Sequence, residues 1–246
     1  MSSEQPGPRA LARARTIADI QRVGREHLAT HGAAALSLRA VARDLGMVSS
    51  AVYRYVSSRD ELLTMLVIDG YNALGDAVDA ALADAPDDPA TRFRVTAHAV
   101  RTWAMAEPAW YGLLFGTPVP GYDAPAADTE TPGVRVIATL LAIIDTAYRR
   151  GALDVATAGP TISENTATDF AKIREQFGLA IPDRVLATAL TAWTTLFGAV
   201  SFDVFDMYGR DTFADRAEIF DLTVEQLLRA LGFAAPHSNQ EDRSVR

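Results

Sequence analysis

The chain has 246 residues, no cysteine, 49% hydrophobic and 22% charged side chains, and a formal net charge of −8. That length can bury a full core, and the apolar content excludes an intrinsically disordered chain. The lack of cysteine excludes disulfides, thiolate zinc sites and cysteine nucleophiles.

The charge is unevenly placed. Residues 1–63 hold nine arginines against six acids, a net of +3, whereas residues 64–246 hold 14 basic and 25 acidic groups, a net of −11. A basic head on an acidic body suits a protein that sets one end on phosphates and keeps the rest away from them.

Apolar residues recur at helical spacing along nearly every long segment, and no hairpin dipeptide separates alternating strands, so the chain reads as all-α. The polar start lacks the apolar core of a signal peptide, and residues 1–11 are expected to form a disordered arm. Arg9, Arg13 and Arg15 either form a flexible arm that reaches a minor groove or are simply solvated. A first helix is predicted from about Leu11 to His31, with Ile17, Ile20, Gly24 and Leu28 on one face and Gly32 as its stop.

Two short helices follow, about 38–45 and 49–56, separated by Gly46-Met47-Val48, and then a longer one over about 58–83 that ends at Pro86-Asp87-Asp88-Pro89. Helices are predicted over 89–106 and 108–115. The proline-rich stretch Gly116 to Gly133 reads as a mobile surface loop. Further helices are predicted over 134–150, 163–177, 182–208 and 211–231, with a disordered tail over 233–246. No uninterrupted apolar run approaches the roughly 18 residues of a membrane span, so a cytoplasmic protein without a membrane partner is expected.

Residues 36–63 carry the functional signal. Two helices of about two turns each are too short to stand alone and must pack on a third, which is the arrangement of a helix-turn-helix. Val41, Ala42 and Leu45 on the first are expected to meet Val52 and Val56 on the second, with Ala42 small enough for a close crossing and Gly46 supplying a positive φ. The second helix then enters the major groove, where the Arg54 guanidinium suits the O6 and N7 acceptors of guanine.

Ser37, Val41-Ala42, Gly46, Val52-Tyr53, Tyr55-Val56, Arg59 and Leu62 stand in one unbroken register that resembles the DNA-binding signature of TetR-type transcriptional regulators. Val48 departs from the Ser or Thr frequent at that place, so Ser49 is expected to act as the N-cap; Val56 replaces a phenylalanine and Arg59 a lysine. The resemblance implies an N-terminal three-helix helix-turn-helix domain over 12–63 and a larger helical-bundle domain over 64–232 that binds an effector and dimerises. It further implies that Arg39, Ser49, Ser50 and Ala51 face bases beside Arg54, and that Ser37, Tyr53, Tyr55 and Arg59 grip phosphates. Taken singly, Tyr53 reads as a core aromatic and Arg59 as a solvated charge; the shared register reverses that reading. Arg59 also lies near the start of the next helix, where N–H groups favour an anion.

Two apolar seams of seven-residue period follow near the end: Leu186, Leu190, Trp193, Phe197, Val200, Val204 and Met207, then Phe213, Ala217, Phe220, Val224, Leu227 and Leu231. They either close the chain's own core or build a four-helix interface with a second copy. The interface is expected at Leu186, Leu190, Val200, Val204, Met207, Phe220, Val224, Leu227 and Leu231. Trp103, Trp110, Tyr111, Phe115, Tyr148, Phe170, Phe177, Trp193 and Phe197 are expected to line an effector cavity, or individually to be ordinary core. The segment 107–115 and Trp193-Thr-Thr-Leu-Phe-Gly198 resemble a subgroup of these regulators in which a Trp and a Gly recur near the dimer helix. Phe197 stands where histidine is frequent. Asp145, Asp203 and Asp206 interrupt apolar helices and are expected to face solvent or a basic effector group.

His27 and His31 have metal-ligand spacing but lack further partners nearby, so no metal site and no cofactor are expected. No Gly-rich phosphate loop, nucleophile elbow or carboxylate constellation is present in the sequence. The expected function is a one-component regulator, a repressor that binds palindromic operator DNA as a homodimer and is released by a small, largely apolar molecule. The alternatives are a helical small-molecule-binding protein or enzyme with no DNA role, or a helical interaction module.

Overall fold

The computed structural model describes residues 7–155 and 162–234. Among them are eleven α-helices and a 3-10 turn at Ala33–Ala35; no strand occurs there, only an isolated bridge between Leu153 and Phe233. The helices are α1 (Pro8–His31), α2 (Leu38–Asp44), α3 (Ser49–Val52), α4 (Arg59–Ala83), α5 (Pro89–Ala106), α6 (Pro108–Phe115), α7 (Ala126–Gly133), α8 (Arg135–Arg149), α9 (Glu164–Phe177), α10 (Asp183–Val204) and α11 (Arg216–Ala230). The all-α expectation holds. Packing divides the chain into two compact units, residues 1–79 with 100–136 and residues 80–99 with 137–246, rather than at a single cut near residue 63.

In the first unit α1 begins at Pro8, because a proline in the first turn has no N–H to leave unpaired and its φ suits a helix. That corrects the disordered-arm expectation for residues 8–11; residues 1–6 lie outside the described residues. α1 stops at Gly32, whose φ is +75° and whose N–H donates to the Leu28 carbonyl at 2.9 Å. Ile20 and Val23 from α1, Leu38, Val41 and Ala42 from α2, Val52 and Val56, and Leu62, Leu63 and Leu66 from α4 form one buried cluster. Burying each such aliphatic side chain stabilises by roughly 1.5–3 kcal/mol, which is what holds the short helices in place.

The stretch 116–133 is not the loose loop expected. Ala126–Gly133 is helical even though Pro132, in its last turn, has no N–H to give to the ladder, and the Thr129 hydroxyl donates back to the Pro125 carbonyl at 2.9 Å. Ahead of it, Val119 and Tyr122 pack on the buried cluster of the first unit, and the Tyr122 hydroxyl shares a hydrogen bond with Thr64 at 3.1 Å. Two apolar anchors three residues apart, among prolines, glycines and polar neighbours, give no period from which this could be read.

In the second unit α10 packs on α9 and α11. The Arg94 guanidinium forks onto Glu225 at 2.5 and 3.0 Å, joining α5 to α11. Asp145 is buried, not solvated as expected: it accepts from the Ala180 and Ile181 N–H groups at 2.6 and 3.2 Å and from Arg149 at 2.5 Å. It thereby fixes the approach to α10, satisfying backbone donors that would otherwise be orphaned. Asp203 is also buried, which corrects the same expectation for it.

α10 ends at Val204 rather than at 208. Asp206 takes a left-handed φ of +53°, Gly209 one of +78°, and Arg216 bonds both the Asp206 carboxylate and, at 2.7 Å, the Gly209 carbonyl. α11 accordingly starts at Arg216 instead of 211, with the Asp215 carboxylate accepting from the Ala217 and Glu218 N–H groups at 2.8 and 3.1 Å. Phe213 thus falls outside the helix. Phe233, placed in the disordered tail, is buried instead; residues 235–246 lie outside the described residues. By length and composition α10 is apolar enough to cross a membrane; its apolar face from Val185 to Val200 is buried within this unit.

Candidate nucleic-acid interface

The turn between α2 and α3 follows from two residues. Gly46 has φ +66°, a conformation that costs a residue with a Cβ about 1–2 kcal/mol, and the Met47 N–H then reaches back to the Ala42 carbonyl at 2.8 Å. Val48 is extended and occupies the N-cap position, so Ser49 is the first helical residue and not the N-cap expected of it. The α-helix itself is one turn, Ser49–Val52, shorter than the predicted 49–56. The chain continues through 53–56 as overlapping turns, with the Tyr55 and Val56 N–H groups both donating to the Val52 carbonyl at 2.9 and 3.1 Å.

This one segment has two faces. Val52 and Val56 are fully buried, whereas Ser49, Ser50, Tyr53 and Arg54 are exposed, as is Arg39 on α2; Ala51 and Ser37 are half-buried. Two further residues belong to the exposed face: Val48, which was missed in the sequence, and Arg13, which was expected only to reach a minor groove or to be solvated. Val48 is 71% exposed at the tip of the turn, and the Arg13 guanidinium lies 5.4 Å from the centre of the Tyr55 ring while donating to the Arg54 carbonyl at 3.0 Å. An exposed valine in a turn is a signal that spacing alone does not interpret. The Arg13 contact spans 41 residues of sequence.

Arg59 is occupied within the chain. Its Nε donates to the Leu36 carbonyl at 3.2 Å and its Nη2 to the Ala33 and Ala34 carbonyls at 3.0 and 3.3 Å, so it pins the 3-10 turn to the start of α4. The anion at that helix start is the chain's own: Glu61 accepts from the Ser57 N–H and hydroxyl, both at 2.6 Å, while its N–H donates to the Ser58 hydroxyl at 3.0 Å. The Ser57 bonds hold the Glu61 carboxyl below its usual range. Nearby, His27 on α1 and Asp44 on α2 share a 2.6 Å hydrogen bond, which, with Arg43, holds the Asp44 carboxyl below the ordinary carboxylate range. His27 is therefore committed to joining two helices; among the described residues no group of three metal-ligating side chains gathers.

The nine aromatics expected around one cavity are divided between the units. In the first, Trp103 stacks on Trp110 at 6.2 Å, and Tyr111 and Phe115 are 5.0 Å apart, with Tyr71 edge-on to Phe115. Trp103, Trp110 and Tyr111 are buried, and the Trp110 indole N–H is buried without an acceptor. The second unit holds Tyr148, Phe170, Phe177, Trp193 and Phe197, the last two 6.0 Å apart. An open cleft of about 850 Å³ in the second unit is lined by none of the nine.

The dimer seam also needs correction. Leu186, Val200, Phe220, Val224, Leu227 and Leu231 are buried inside the single chain, because the two seven-residue seams face each other across α10 and α11. Leu190 and Val204 are half-buried, and of the expected interface residues Met207 alone is largely exposed, at 56%. Phe202, Phe205 and Leu222 are exposed on the same two-helix region.

Residues 20–66 match the family model described as bacterial regulatory proteins, tetR family, and residues 93–227 match the one described as tetracyclin repressor-like, C-terminal domain. The HTH-type transcriptional regulators Rv1816 of Mycobacterium tuberculosis (strain H37Rv) and Mb1846 of Mycobacterium bovis are each 43% identical to this chain over 226 residues, covering 92% of it and 96% of the relative. The crystal structure of SCO4313 superposes with a TM-score of 0.72 at 33% identity, over 91% of this chain and 100% of that one. A bacterial regulatory protein in the tetR family from Rhodococcus RHA1, at 22% identity and TM-score 0.56 over 90% and 99% of the two chains, shares the fold. A helix-turn-helix that matches the family's N-terminal model, followed by a helical region matched over residues 93–227 and a 43% identical relative over 92% of the chain, makes this chain a member of the TetR family of transcriptional regulators.

Proposed function

We propose that this regulator is a repressor that binds a palindromic operator as a homodimer and is released by a small, largely apolar molecule. The observation that carries the reading is the two-sided segment 48–56: Val52 and Val56 are fully buried while Arg54, Tyr53, Ser49 and Ser50 are exposed. Arg54, Arg39, Ser49, Ser50 and Ala51 read base edges, and Val48 meets a thymine methyl. Ser37, Tyr53 and Tyr55 position the phosphates, with Arg13 holding Tyr55. Arg59 acts on the backbone rather than as a free phosphate ligand, since three carbonyls take up its donors.

The partner copy sits against the exposed apolar residues Phe202, Phe205, Met207 and Leu222, with Leu190 and Val204 at the edge. The effector enters among Trp103, Trp110, Tyr111 and Phe115, where the indole N–H of Trp110 offers an unused donor. Release follows if the ligand favours a state in which the two reading segments no longer stand about 34–36 Å apart, one turn of DNA. The protein works in the cytoplasm, without a cofactor, a membrane partner or catalysis of its own.

Sequencing of genomic fragments captured by the purified protein tests the reading. The expected result is an enriched palindrome whose half-sites lie about one helical turn apart; enrichment of single half-sites overturns the dimer, and no enrichment at moderate salt overturns the operator.

A further inference from the structure

The cleft in the second unit lies beside the first turn of α10 and the C-terminal end of α11, with residues 151–155 as its other wall. Its volume of about 850 Å³ is within the range of small-molecule sites. The walls are built rather than incidental. The Asp154 N–H donates to the Gly232 carbonyl at 2.7 Å, and Gly232 has φ +87° with no room for a Cβ, which would stand 2.5 Å from the Asp154 carbonyl oxygen. Leu153 and Phe233, bridged across this junction, are both buried.

The lining mixes aliphatic and aromatic surface, from Leu153, Val185 and Phe233, with two guanidiniums, Arg184 and Arg229, and one carboxylate, Asp154. Arg184 stands in the first turn of α10, where the helix dipole adds positive potential. Its Nη2 donates to the Val155 carbonyl at 3.5 Å, the limit of a hydrogen bond, and its Nε–H is buried with no acceptor. Arg229 lies in the last turn of α11, where its charge offsets the carbonyl pole of that helix. Arg184 and Arg229 both line the cleft, and the N–H fork of a guanidinium pairs best with a planar carboxylate.

We propose that this cleft binds a small organic monocarboxylate with an apolar body. The acid's oxygens meet the terminal N–H groups of Arg184 and Arg229, and the tail covers Leu153, Val185 and Phe233. Two guanidiniums disfavour a cation. The Asp154 carboxylate and the apolar half disfavour a compact dianion such as phosphate. The site is separate from the tryptophan stack of the first unit and does not rest on the operator reading.

Isothermal titration of the full-length protein with octanoate and, separately, octanol tests it. The expected result is saturable octanoate binding, with octanol weaker by about tenfold or more because it lacks the charge-assisted bonds. Arg184→Gln should weaken octanoate by a similar factor with an unchanged circular dichroism spectrum, and Arg229→Gln, which serves if Arg184→Gln fails to fold, should weaken it too. Lys172→Gln, exposed on α9, should leave it unchanged. The site is overturned by equal binding of octanol, by no saturable octanoate heat up to about 10 mM, by full binding in a folded arginine variant, or by loss that follows Trp110→Phe instead. Because the readout is binding and not DNA release, octanoate bound without effect on the operator leaves the site standing, and operator binding without octanoate binding removes the site alone.

Discussion

At the scale of single residues, two arginines close in sequence have opposite settings. Arg54 is exposed on the reading segment, while Arg59 lies half-buried against three carbonyls of the preceding turn. Arg54→Ala should therefore cost about 1–3 kcal/mol on the operator and relax preference at one base pair, read by titrating the operator and its single-base variants. Equal losses on operator and random DNA would contradict a base contact. Arg59→Ala should instead lower the stability of the fold, by about 1–3 kcal/mol for lost charge-assisted bonds to backbone, measured as a fall in the urea midpoint. An unchanged midpoint with uniformly weaker DNA binding would return Arg59 to the phosphate role that its position first suggested.

At the scale of elements, α1 is tied to α4 by a hydrogen bond from the Gln21 amide to Asp69 at 2.8 Å, and Arg25 on the same helix lies over the Trp110 ring of α6 at 5.4 Å. Burial pushes the Asp69 carboxyl above its ordinary value, against the opposing pull of Arg25 and Gln21. A raised carboxyl pKa in the native state means that the native protein holds the proton more readily than the unfolded chain. The ionised form then costs stability at neutral pH, and the cost disappears as the pH falls through the raised value towards 3.8. Asp69→Asn keeps an acceptor for Gln21 without the charge. It should raise the melting temperature at pH 7, with a gain that shrinks towards pH 4; a gain independent of pH, or a loss at pH 7, would show that the attraction to Arg25 outweighs desolvation.

For the molecule as a whole, the proposed pairing rests on the apolar surface left on the α10 and α11 region. Phe202 and Phe205 are 39% and 44% exposed and Met207 and Leu222 more so, a grouping that water tolerates poorly unless it is covered. Phe205→Asp should give a folded monomer by light scattering and lose operator binding by at least about tenfold, since one half-site then binds alone. A variant that stays dimeric would move the interface elsewhere. The buried seam residues make a poor alternative test, because Leu186→Asp or Val224→Asp would unfold the chain before it could inform on pairing.

Local chemistry alone determined the all-helical class, the stop at Gly32, the turn at Gly46 and the pairing of Val41 and Ala42 with Val52 and Val56, because each depends on φ preferences or on apolar period within a few residues. The register around Gly46 was enough to point to the family. Tertiary structure decided what depends on partners distant in sequence: that Arg59 and Asp145 serve backbone groups, that Val119 and Tyr122 anchor a proline-rich stretch, and that the aromatics divide between two units. It also decided which side of each seven-residue seam is covered. A period shows that a helix has an apolar face, but only packing shows whether that face meets its own chain, and here α10 and α11 bury theirs against each other and leave a different set of apolar side chains exposed.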